Sequence, residues 1–116
     1  MLKGFLFAAT AATLLPSMAL AEDLKESAGR GLKAAVTVRT LAAECDREIT
    51  STYEYVLSAL EKNAKENLSE LDYQVIVQFG PQDVEKVLDE EGRTFTCGPY
   101  LERVNEILGG KVFRPN

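Results

Sequence analysis

The chain of 116 residues contains no histidine and no tryptophan, and only two cysteines. Without histidine there is no Ser-His-Asp or Cys-His nucleophile system, no imidazole acid–base pair, and almost none of the usual zinc or haem sites. The Cys-x-x-C spacing that produces a low-pKa redox thiolate is also missing. Basic residues are outnumbered 13 to 18. The chain therefore lacks the basic stripe of a nucleic-acid binder and the basic cluster that docks on anionic lipid. No internal repeat or low-complexity tract is present. The longest apolar and small-residue run, Gly4 to Leu15, is too short for a bilayer-spanning helix, which needs about 20 residues.

That run has the layout of a secretory leader. Lys3 supplies a positive start, Pro16 breaks the apolar segment, and Ala19-Leu20-Ala21 forms an A-x-A cleavage site. Glu22-Asp23 follows, not a positive stop-transfer flank. The expectation is a signal peptide over 1–21 and a mature domain over 22–116, working outside the cytoplasm with no membrane insertion after cleavage. Only Lys3 is lost with the leader, so the mature chain carries 12 basic and 18 acidic residues, a formal charge of −6. Its 95 residues make one domain.

A core of that size is marginal without a staple. Cys45 and Cys97 both lie in the mature part, and a lone pair in an oxidising compartment reads as one intramolecular disulfide. The bridge spans 52 positions, which in the chain-entropy model contributes roughly 4 kcal/mol.

The mature sequence reads as helical. Residues 22–31 look like a lead-in or a frayed turn, with the helical pattern beginning at Leu32. Leu41, Cys45, Ile49, Tyr53, Leu57 and Leu60 recur at spacings of three and four. Ser51-Thr52-Tyr53-Glu54 fits a capping box, so the segment reads as two helices meeting near Thr50 or as one long helix with a weak point there; the single helix is preferred, because no Gly or Pro interrupts it. Residues 68–79 are ambiguous. Tyr73, Val75, Val77 and Phe79 alternate as in a strand, whereas Leu68, Leu71, Val75 and Phe79 step as in a helix. Helix is preferred, because a strand requires a partner and only short candidates exist at 36–38, 93–96 and 111–113. Gly80-Pro81 is a break, and a helix over 82–91 should end at Gly92 in the left-handed conformation. Gly98-Pro99 should open a last helix with Leu101, Val104, Ile107 and Leu108 as its apolar face, stopped by Gly109-Gly110. The bridge would then pin this helix to the middle of the first. The fold class expected is all-α, a small helical bundle stapled by one disulfide; the alternative is α+β with a short sheet including 73–79.

Candidate sites are few. Asp89-Glu90-Glu91 is acidic but lacks the D-x-D-x-D-G spacing of a calcium loop, and reads as a solvated helix face. Asn67-Leu68-Ser69 matches a glycosylation sequon, which matters only in a eukaryotic secretory pathway. Pro99 and Tyr100 form a candidate partner surface beside Cys97, while the four tyrosines as a group read as partly buried core. No catalytic residue, cofactor or metal is expected.

The reading is a small secreted, periplasmic domain that is not an enzyme and binds another periplasmic or secreted protein, as an inhibitor, immunity protein or accessory subunit does. In outline the chain resembles the acid-activated periplasmic chaperones, with a leader, a mature chain of similar length, helices and one bridge of similar span. That resemblance implies a chaperone activity triggered by acid, since protonating 18 carboxylates moves the mature chain from −6 to about +12 near pH 2. A helical bundle binding a small apolar ligand is a further alternative.

Overall fold

The computed structural model describes the backbone of residues 2–115 and the side chains of residues 23–115. Five helices form an all-α bundle: α1 (Leu2–Glu44), α2 (Ser51–Asn67), α3 (Glu70–Phe79), α4 (Gln82–Phe95) and α5 (Leu101–Ile107). Residues 96–100 form a π-helical turn between α4 and α5. Among the described residues the only β pairing is one antiparallel bridge, Ile49 to Phe113. The short-sheet alternative at 73–79 therefore falls, and that segment is helix α3, capped by Ser69, whose hydroxyl accepts from Asp72 N.

Residues 23–27 of α1 are exposed, and the helix enters the bundle at Ala28. From there Ala28, Leu32, Ala35, Val38 and Leu41 line its buried stripe at spacings of four and three. The lead-in read at 22–31 is thus ordered helix. Small residues at this end let neighbours approach closely: a Cβ on Gly31 would lie 3.0 Å from Leu60, and one on Gly29 would lie 3.6 Å from Ile76.

The single long helix expected through Thr50 is two helices. The chain reverses over residues 45–50, where Asp46 takes a positive φ of 50°. Thr50 is the N-cap of α2, one residue before the expected box, and its hydroxyl accepts from Tyr53 N at 3.3 Å. The physical reason is long-range. Thr50 N–H donates to Val112 O (2.9 Å), Thr50 Oγ1 donates to Lys111 O (2.8 Å), and Arg114 N–H donates to Glu48 O (2.8 Å). The C-terminal segment holds the reversal open, and no local pattern announces that.

α2 runs back along α1, and α3 then rises beside α1, with Ile76 near Gly29 and Gly80 against Val36. Gly80 has no room for a side chain, because its Cβ would lie 2.7 Å from Val36 Cγ1 and 2.6 Å from Ile76 O. α4 continues upward to the end of α1, where the Arg93 guanidinium donates to Glu44 O. Gly92 does take a positive φ (85°, with ψ 170°), and these non-helical values end the helical run from Gln82 as expected; a second helical segment follows at once, so α4 is two helices joined across a kink. The last helical segment therefore starts before Gly98-Pro99, which lie inside the π turn. That wider turn accommodates Pro99, which has no N–H to donate. α5 descends and stops at Gly109 (φ 106°) and Gly110 (φ 82°). Asn105 then orders the return, accepting from Val112 N at 2.9 Å.

The core comprises Ala35, Val38, Leu41, Leu57, Val84, Leu101, Val112 and Phe113. Cys45 and Cys97 are bridged, with Cα atoms 5.4 Å apart. The staple ties the end of α1 to the π turn, and so sits at one end of the bundle, not at the middle of the first helix.

Candidate protein-binding surface

Asp89, Glu90 and Glu91 are all exposed on α4. Among the described residues no group of three His, Cys, Asp or Glu side chains is arranged to hold a metal ion. Asn67 Nδ2 donates to Asn63 O and Oδ1 at the end of α2. Arg39 clamps α1 to α2: its Nε and Nη2 donate to Glu61 at 3.0 and 2.8 Å, and Nη2 lies 2.7 Å from Glu54. These hydrogen bonds, Glu61's first, raise the Arg39 pKa above its ordinary value.

Pro99 is exposed, whereas Tyr100 is half-buried and packs against the core. Tyr53 and Tyr73 are half-buried as well, and Tyr55 alone among the tyrosines is well exposed. Burial raises the Tyr53 pKa, and burial followed by the nearby Asp83 charge raises that of Tyr100. A raised folded-state pKa means that the stabilisation is fully present below the unfolded tyrosine value, about 10, and is lost as pH rises through the folded values. The urea midpoint should accordingly fall between pH 9 and pH 12. Absorbance at 295 nm should show these two phenolates appearing late and together with unfolding. A midpoint unchanged across that window would contradict the assignment.

Exposed apolar side chains are most numerous on α3; α5 adds Ile107, and Leu24, Tyr55, Val56 and Phe95 are exposed singly or in a pair on the other helices. The alternation of Tyr73, Val75, Val77 and Phe79 suits a strand with two faces; wound into a helix it spreads apolar side chains around the whole circumference. α3 can turn only one side to α1, so Tyr73 and Ile76 are half-buried while Leu71 (74% exposed), Val75, Val77 and Phe79 (51%) remain outside. No α3 residue is fully buried. On α5, Ile107 is 69% exposed at the end of the apolar face.

Two grooves lie along α1 beside these residues. One, of about 200 Å³, is walled by Val75, Ile76, Phe79 and Gly80 and bordered by Lys33 and Asp83. The other, of about 270 Å³, runs between α1 (Ala34, Thr37) and α5 (Val104, Ile107, Leu108), with Arg30 and Lys33 at its rim. Lys33 borders both, and its Nζ lies 3.4 Å from Asp83 Oδ2 in an exposed pair. Arg30 makes no ion pair among the described residues.

In the sequence Leu71, Val75 and Phe79 step at helical spacing with no side assigned, and Ile107 belongs to the apolar face of the last helix. The signal that they would face out is an excess of apolar residues in α3, wider than one neighbouring helix can cover. Comparison with protein-family models, with curated proteins and with solved structures yields no match for this chain.

Proposed function

We propose that this chain is a secreted, non-catalytic domain that works in the periplasm by binding another protein, and that the face formed by α1, α3 and α5 is where the partner docks. The observation that carries the reading is the uncovered apolar surface: Phe79 and Ile107, each at least half exposed, wall two grooves that meet at Lys33, and Leu71 is exposed on the same helix as Phe79. Contiguous apolar patches on small domains mark interaction sites far more often than lone exposed leucines do. The compartment is supported by the leader-like residues 1–21, by the disulfide, and by the absence of any helix among the described residues long and apolar enough to cross a membrane. Inhibitors, immunity proteins and accessory subunits all work through such a face.

A photo-crosslinking amino acid placed at Val75 or Ile107 tests this in cells that secrete the protein. One discrete cross-linked product from these positions, and none from Glu90 on the far, solvated side of α4, is the expected result. Equal labelling from all three positions, or none from any, would refute the surface.

Acid-activated chaperone action is the second reading. The specific observation in its favour is that each of the five ion pairs among the described residues joins separate segments of the chain, among them Arg39 to Glu54 and Glu61, and Lys33 to Asp83. Protonating the carboxylates releases all of these ties while charge repulsion grows, which loosens packing next to an already apolar face. Near-ultraviolet circular dichroism that persists to pH 2, with no protection of an aggregating client, would discard it.

A further inference from the structure

The groove between α1 and α5 has features that identify the class of its occupant. Its walls are two helices whose side chains recur at helical spacing: Ala34 and Thr37 on one side, Val104, Ile107 and Leu108 on the other. Such a trough accepts the ridge of a third helix, and helix-in-groove recognition uses apolar anchors at i, i+3 or i+4, and i+7. Its rim is cationic, although the mature chain carries −6: Arg30 and Lys33 stand there, one turn apart on α1; Lys33 is shared with Asp83 at 3.4 Å, and Arg30 has no ionic partner among the described residues.

Resting on the docking surface proposed above, we infer that this groove binds an amphipathic helix of a partner protein, with an acidic residue beside its apolar stripe to meet Arg30 and Lys33. Two other occupants fit less well. A second copy seated on a twofold axis would present the same surface, and would bring Arg30 and Lys33 toward their own copies across it. An acyl chain or other small ligand wants a cavity that encloses most of its area, whereas this groove is open and leaves Ile107 exposed.

The test is selection of a displayed random-peptide library on the disulfide-bonded mature protein. Enriched peptides should carry apolar residues at helical spacing with a neighbouring Asp or Glu, and should gain helical circular dichroism on binding. Ile107→Lys should weaken them at least tenfold, and so should Arg30→Glu with Lys33→Glu; all three positions are exposed, and unchanged melting temperatures would show that the variants fold. The double charge reversal should instead favour peptides with Lys in place of the acid. Enrichment of extended or basic peptides, binding indifferent to Ile107→Lys, or no enrichment overturns the inference. Saturable decanoate binding that is lost in Ile107→Lys, without helical peptides, overturns it in favour of an acyl ligand. If cross-linking from Ile107 succeeds while this selection fails, partner binding stands and the helical class of partner falls; if both fail, both fall.

Discussion

Replacing Cys97 with alanine should destabilise the domain by roughly 2–5 kcal/mol, the usual cost of removing a native bridge from a small secreted domain. The disulfide closes a loop of 52 positions, so the unfolded chain gains much freedom when it is lost. Without it the end of α1 keeps the core cluster that contains Leu41 and Leu101, the Arg93 contact to Glu44 O, and the pair between the largely buried Arg47 and the exposed Glu102, whose N–O distance is 4.0 Å. None of these contacts restricts the unfolded chain, as the covalent bridge does. Since the total stability of such a domain is about 5–15 kcal/mol, thermal unfolding should shift down by on the order of 10 °C or more. Circular dichroism melts of the oxidised wild type and the variant measure this, with intact mass before and after reduction confirming the bridge. A melting temperature that does not move would mean that the staple constrains nothing the fold does not already hold.

Phe113→Ala should cost about 3–5 kcal/mol, as large aromatic truncations in well-packed cores do. Phe113 is 5% exposed and Val112 is fully buried, although both lie within four residues of the C-terminus. The ring fills the core beside Leu41 and Leu57, and the Arg47 guanidinium lies over it, 6.0 Å from its centroid. Ending the chain after Lys111 should be worse, because Thr50 N–H loses Val112 O and the start of α2 loses its clasp. Urea unfolding followed by far-ultraviolet circular dichroism gives both values. A loss below about 1 kcal/mol for Phe113→Ala would show that the tail merely rests on the bundle.

The tail was the least legible part of the fold. Lys111 to Arg114 is four residues between a glycine pair and a proline, too short to reveal a period, and its partner, residues 48–50, lies more than sixty positions away. The same contact explains the break at Thr50. Local pattern favoured continuity there, and hydrogen bonds from the far end of the chain decided otherwise. The π turn was equally hidden, because Gly98-Pro99 reads as a helix start whenever the helix before it is taken to end at Gly92.

α3 shows the opposite balance. Its helical form is legible through the Ser69 cap and the steps from Leu68 to Phe79, and the segment is helix from Glu70 to Phe79. Which of its apolar residues face outward was not legible, because the competing period-two pattern leaves every side of the helix apolar. The orientation follows from Gly80, where Val36 sits so close that only a bare backbone fits. The docking face proposed here exists because of that orientation. Pro99 and Tyr100, the surface suggested by local composition, flank the staple with Tyr100 half-committed to the core.

The sequence by itself determined the all-α class, the pairing of its two cysteines, and the cap or glycine at most helix ends, because these depend on short-range periodicity, on cap chemistry, and on there being one possible pair. Only the tertiary structure decided the reversal at Thr50, the burial of Phe113, and the outward turn of Leu71, Phe79 and Ile107. Those depend on which helix reaches which neighbour, and a helix with more apolar surface than its neighbours can cover leaves the remainder where a partner can reach it.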